Sequence, residues 1–255
     1  MKKIASERNR ACLENGKLTI GYLLAGFPDK ESFLSLLPDC EAAGIDVFEI
    51  GYPSENPSAD GEIIREAHGI VDHSIKTDLG YWKKIRQAVN SPIWIMAYKK
   101  DLIDTGFYRL LAQNGLADSF VLPDASSEQR LALKAELEPF GVDVLGFVDP
   151  DMGQKEQEDC FNEFSLIYQQ LYSGPTGMSV ATQDFAEILA RAKAHDDLKV
   201  FAGFGIQTAD RAAQLVESGF DGVIIGTAMM SKLNVSREEL LSFAKELAGA
   251  VRRGR

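Results

Sequence analysis

The sequence predicts an α/β protein, a (β/α)8 barrel of the TIM type with an extra N-terminal helix. Three observations predict it. Eight apolar strand segments alternate with helical segments along the chain. Strands such as Val223-Ile224-Ile225 are almost continuously apolar, as in a parallel sheet covered by helices. The length, 255 residues, matches the roughly 250 that this barrel uses. An open sheet of six or seven strands is the alternative. No linker or low-complexity stretch divides residues 1–255, so a single TIM-barrel domain is expected.

Taken in order, residues 4–15 read as an amphipathic helix before the first strand, Leu18 to Ala25. Asp29 can cap a helix over Lys30 to Ala43, which Gly44 stops. A buried strand follows from Ile45 to Ile50, then helices over 62–70 and 78–90 and a strand from Pro92 to Tyr98. A helix from Thr105 to Asn114 ends at Gly115, and Ser119 to Leu122 is a strand. Ser127 to Phe140 reads as a helix, Val142 to Val148 as a strand, 155–164 as a helix and Ser165 to Leu171 as a strand. The last units are helices over Thr182 to Ala194, Thr208 to Ser218 and Ser236 to Val251, with strands over Leu198 to Gly203 and Asp221 to Gly226.

Composition narrows the function. Hydrophobic residues make up 45% of the chain, enough for a large core, and the net charge is −11. Such an acidic chain is a poor binder of nucleic acid or of an anionic membrane. Any phosphate is better held by backbone amides than by a basic patch. Cys12, Cys40 and Cys160 form no CxxC pair, so neither a disulfide framework nor a zinc site is expected, and reduced thiols suit a cytoplasmic protein. Lys2 and Lys3 are not followed by the apolar run of a signal peptide, and no window approaches the roughly 18 apolar residues of a membrane span.

Chemistry is expected at the C-terminal ends of the strands. The segment from Ile45 to Gly61 is the focus. Ile45, Val47, Phe48 and Ile50 surround one carboxylate, Glu49, and the loop that follows ends in Asp60. A carboxyl group in apolar surroundings has a raised pKa and can exchange protons near neutral pH. Asp60 has an alternative use as the cap of the helix starting near Glu62. Gly203-Phe204-Gly205-Ile206 and Gly226-Thr227-Ala228 follow the last two strands, where backbone N–H groups can hold a phosphate; the alternative is two tight turns. Ser173-Gly174-Pro175-Thr176-Gly177 reads either as a glycine-hinged lid or as an ordinary loop. Tyr22, Tyr98 and Tyr168 fall on strands and either line an aromatic-accepting pocket or pack the barrel. His68 and His73 are expected in solvent, His195 at a helix end, and no histidine pair has metal-ligand spacing. Lys99 and Lys100 follow the third strand as a solvated pair, or as a Schiff-base lysine.

These motifs resemble the alpha subunit of tryptophan synthase over nearly the whole chain. The family signature Leu-Glu-Leu-Gly-x-Pro-x-x-Asp-Pro-x-Ala-Asp-Gly-Pro is matched by the run from Phe48 to Glu62, and the three glycine segments also fit. The resemblance implies retro-aldol cleavage of indole-3-glycerol phosphate to indole and glyceraldehyde 3-phosphate, with no cofactor or metal. It implies Glu49 as general acid/base and Asp60 as partner of the indole N–H. It implies phosphate binding by Gly177, Gly205, Gly226 and Thr227. Tyr22, Tyr98, Tyr168 and Phe204 are implied around the indole, and Thr176 in closing a lid over Asp60. A PLP-dependent beta subunit is the implied partner.

The departures lie at the rim. Asn56 stands where the family has an Asp of the beta-subunit contact, and Glu62 replaces a proline. Tyr98-Lys99-Lys100-Asp101 replaces Tyr-x-Asn-Pro and adds two positive charges at the mouth; the loop after Gly177 is short. They motivate two alternatives: a paralogous barrel aldolase or isomerase acting on another phosphorylated substrate without a beta subunit, and a catalytically silent paralogue that regulates one.

Overall fold

The computed structural model describes residues 3–174, 176 and 185–253. Its order is α1 (Glu7–Glu14), β1 (Leu18–Leu24), α2 (Lys30–Ala43), β2 (Val47–Gly51), α3 (Glu62–Ile70), α4 (Leu79–Ala88), β3 (Ile93–Met96), α5 (Lys99–Leu102), α6 (Phe107–Gln113), β4 (Ser119–Val121) and α7 (Ser127–Leu137). It continues with β5 (Asp143–Val144), β6 (Gly146–Val148), α8 (Gln154–Glu163), β7 (Leu166–Gln170), α9 (Phe185–Lys193), β8 (Lys199–Gly203), α10 (Ala209–Glu217), β9 (Gly222–Ile225), α11 (Thr227–Val235) and α12 (Arg237–Arg253).

All strand pairings are parallel, in the order β5-β4-β3-β2-β1-β9-β8-β7-β6. The ends of this ladder, β5 and β6, flank a single residue, Leu145. The stave expected as one strand over 142–148 is therefore two short strands that change neighbour at Leu145, and the barrel closes through it. Helical boundaries follow local chemistry. Asp29 accepts hydrogen bonds from the N–H groups of Glu31 and Ser32, and Gly44 at φ 105° ends α2.

Side chains alternate between the barrel interior and the helical layer. On β1, a Cβ at Gly21 would meet Met229 and Ile45 on the helix side, whereas Tyr22 faces inward. Strand tilt carries the register diagonally. One row of partners runs Tyr22, Glu49, Trp94, Ser119, Asp143. It begins at the candidate site and descends to the barrel floor.

The extra N-terminal helix seals that floor. Asn9 is buried, donates to Ser119 Oγ and Asp143 Oδ2, both at 2.8 Å, and accepts from Trp94 Nε1 at 2.9 Å. Ser6 caps the helix through Asn9 N–H and donates to Asp118 Oδ1 at 2.8 Å. Asp118 also accepts from Arg86 and from the Ile93 N–H. Because Ser6 is the cap, the helix begins at Glu7 rather than at residue 4.

The sequence reading lacks three elements: a 3-10 helix over His73–Thr77, α5 and α11. The last carries no polar side chain at its cap, Gly226. Cys40 and Cys160 are buried, and burial pushes the Cys40 thiol up to about 12, consistent with a packing role. Among the described residues, no helix is long and apolar enough to cross a membrane.

Candidate active site

A cavity opens at the C-terminal ends of the strands. Glu49 enters its wall from the middle position of β2. The side chain is buried, and Oε1 has no hydrogen-bond partner among the described residues. Burial, and secondarily the negative charge of Asp60, push its carboxyl from 4.5 up to about 8. Near neutral pH such a group can both give and take a proton.

Asp60 faces the same cavity from the loop before α3. It does not cap that helix; Gly61 is the cap residue and makes no side-chain hydrogen bond. Asp60 Oδ2 instead accepts from the Tyr98 hydroxyl at 2.7 Å, and that hydroxyl accepts from the Ala59 N–H at 3.0 Å. Tyr98 is thus behind Asp60 and is not itself part of the cavity lining. Thr176 grips both flanks of Asp60: its N–H donates to Ala59 O at 3.1 Å, and its Oγ1 accepts from the Gly61 N–H at 2.8 Å. A Cβ at residue 61 would lie 2.2 Å from the Thr176 carbonyl oxygen, so only glycine admits this approach.

His68 corrects the sequence expectation. It is 2% exposed, not solvated, with Nε2 3.6 Å from Asp60 Oδ2. The sequence signal that could have found it is its place four residues after Ile64, on the face of α3 turned to the barrel. His73 is half-buried and donates from Nε2 to the His68 carbonyl oxygen at 2.8 Å.

Aromatic rings form the opposite wall. Tyr168 stacks on Phe147 at 4.7 Å between centroids and meets Phe204 edge-on at 6.0 Å. Arg130 lies 5.7 Å from the centroid of the Phe147 ring. Tyr22 contributes a buried hydroxyl without a hydrogen-bond partner among the described residues. Burial and the two carboxylates hold the hydroxyls of Tyr22 and Tyr168 well above the ordinary tyrosine pKa, so both remain protonated. Ile64, Met96, Val121 and Ile224 complete an apolar lining that sequence reasoning did not single out.

The glycine turns stand at the third side. Phe204 has φ 71°, the one positive value among described non-glycine residues, and Gly205 follows at φ 76°. This pair of left-handed residues turns the chain sharply beside the cavity, a strained geometry of the kind found at binding sites. Gly205, Gly226 and Thr227 line the cavity. Gly226 and Thr227 begin α11, whose first N–H groups lack intrahelical acceptors and suit an anion. Gly177 lies outside the described residues, as does the short loop after it. Lys99 and Lys100 open α5 rather than the cavity mouth; Lys99 pairs with Asp104, and Lys100 is exposed.

A parallel barrel with two buried acids between an aromatic wall and a helix N-terminus is the arrangement of an enzyme, and it suits proton transfer. The chain belongs to the tryptophan synthase alpha chain family: the family's sequence model, described as "Tryptophan synthase alpha chain", matches residues 9–253. That family's reaction is the cleavage of indole-3-glycerol phosphate to indole and glyceraldehyde 3-phosphate, which makes the chain a lyase of the tryptophan synthase type. It is 29% identical to the tryptophan synthase alpha chain of Caulobacter vibrioides, over 100% of this chain and 98% of that one. It is 29% identical to that of Thioalkalivibrio sulfidiphilus, over 91% and 90%. Among solved structures it resembles a Mycobacterium tuberculosis tryptophan synthase chain with TM-score 0.83, 24% identity and 99% coverage of both chains. The tryptophan synthase subunit alpha of Legionella pneumophila superposes with TM-score 0.80, 22% identity and 99% coverage of both. These likenesses agree on the barrel.

Proposed function

We propose that this chain carries out the family's retro-aldol reaction with Glu49 as the acid/base and Asp60 as the electrostatic partner of the ring nitrogen. The observation that carries this reading is the buried Glu49, raised to about 8, with an oxygen that no described residue partners, at the wall of a cavity that Asp60 shares. Protonated Glu49 delivers its proton to the indole carbon that bears the side chain. The positive charge that develops on the ring is relieved at N–H by the Asp60 carboxylate. The Glu49 carboxylate then takes the proton of the adjacent side-chain hydroxyl. The carbon–carbon bond breaks, its electron pair restores the aromatic ring, and indole leaves beside an aldehyde. The ring itself accepts the electrons, so these residues can carry each proton and charge.

Supporting roles follow from position. Tyr22, Tyr168 and Phe204 would enclose the indole. Gly205, Gly226 and Thr227 would hold the phosphate on backbone N–H groups, with Gly177 assigned by resemblance alone. Thr176 would hold the Asp60 segment in place. Lys99, held by Asp104 away from the cavity, lends no support to a Schiff-base aldolase.

Pairing with a beta subunit is part of the proposal. The loop carrying Ser54 and Asn56 leads directly to Asp60, so docking there would reach the site. Indole release from indole-3-glycerol phosphate, with and without a beta subunit, tests both parts. Release that rises with the partner is the expected result. Release indifferent to the partner removes the pairing, and none in either case removes the substrate.

A further inference from the structure

We infer that His68 is a positioning residue for Asp60, drawing one carboxylate oxygen inward so that the other serves the ligand; this rests on the assignment of Asp60 above. The chain around His68 fixes both its place and its tautomer. It sits in the last turn of α3, where neighbouring Glu66 and Gly69 are exposed while His68 is buried with Ala67. The Ser54 N–H donates to His68 Nδ1 at 3.0 Å. A ring nitrogen that accepts carries no proton, so the neutral imidazole bears its proton on Nε2. The His73 side chain holds the His68 carbonyl and with it the end of the helix.

Among the described residues Nε2 has no hydrogen-bond partner, and it stands 3.6 Å from Asp60 Oδ2. A buried donor without an acceptor is costly, and a movement of a few tenths of an ångström by the Asp60 loop would complete the bond. Tyr98 already donates to the same oxygen. Two donors from two elements on Oδ2 would fix the carboxylate plane and leave Oδ1 for the substrate. His68 touches no cavity surface and acts only through Asp60.

Two variants of the full chain separate this role from packing. In His68→Asn the side-chain amide can still accept from Ser54 at the Nδ1 position but places no donor at the Nε2 position. In His68→Gln the amide N–H reaches the Nε2 position. With indole-3-glycerol phosphate, His68→Asn should lower kcat about tenfold with KM within about twofold, and His68→Gln should recover most of the loss. Wild-type kcat in His68→Asn, or no advantage of His68→Gln over it, overturns the inference. If the wild-type chain itself shows no cleavage, the assigned reaction fails, and the coupling is read without turnover from the 15N shift of His68 Nε2. A shift displaced by Asp60→Asn upholds the contact; an unmoved shift overturns it.

Discussion

The Tyr98 hydroxyl donates to Asp60 Oδ2 at 2.7 Å while accepting from the Ala59 N–H at 3.0 Å, so one phenol holds both the acid and the backbone beside it. Tyr98→Phe leaves the buried Asp60 Oδ2 and the partly buried Ala59 N–H unmatched. A loss of about 1–3 kcal/mol is expected in denaturant unfolding, and about a tenfold fall in indole release. Full activity in this variant would show that Asp60 is held by other means.

Glu49→Gln keeps the shape and removes the proton transfer. Cleavage should fall by roughly 10²–10⁴-fold with the fold intact by circular dichroism. Unchanged turnover would rule out Glu49 as the acid/base.

The same substitution has a signature in stability against pH. The Glu49 carboxyl is raised in the folded state from 4.5 to about 8. The folded chain therefore binds the proton more tightly than the unfolded one. That contribution is complete below about pH 4.5 and is lost as pH climbs toward 8. Each unit is worth roughly 1.4 kcal/mol, so the window spans a few kcal/mol. Glu49→Gln should gain on the wild type as pH rises from about 5 to 8.5 in urea titrations. A constant difference between the two would contradict the raised pKa.

Gly203→Ala would place a methyl group 2.3 Å from Tyr168 Cε1 and 2.4 Å from its hydroxyl. Tyr168 is stacked on Phe147 and cannot retreat outward. The ring is expected to swing into the cavity, costing about 1–3 kcal/mol and raising KM. Thermal melting and steady-state kinetics together test this; an unaltered KM would mean that the ring has another seat.

Asn9→Ala removes an anchor at the opposite end of the barrel. Its side chain meets Trp94, Ser119 and Asp143 at 2.8–2.9 Å. A loss of about 2–4 kcal/mol is expected by chemical denaturation, with kcat retained in the folded fraction. A large fall in kcat without loss of stability would instead tie the floor to the chemistry.

What could be read from the sequence was what local chemistry decides. The α2 boundaries, Lys30 and Ala43, match the expectation because Asp29 and Gly44 act within a few residues of each end. Glu49 was legible because an acid among Val47, Phe48 and Ile50 has to be explained. His68 was missed: its spacing from Ile64 puts it on the inner face of α3, but the partners that hold it there, Ser54 and Asp60, lie outside that helix. α11 escaped notice because its cap has no side chain and its run Ala228-Met229-Met230 lacks helical alternation. The break at Leu145 comes from barrel closure, which leaves no mark on the seven apolar-rich residues 142–148.

The bond from Ser6 to Asp118 spans 112 residues, and that from Asn9 to Asp143 spans 134. During synthesis α1 therefore leaves the ribosome long before its acceptors do and is seated late. Such distant contacts slow folding. Until then Asn9 and the Trp94 indole have each other to meet at the earliest, and the N-terminal segment is a strip that chaperones or proteases can reach. A variant that begins after Glu14, and so lacks α1, would bypass that wait, at the expense of the seal beneath the barrel.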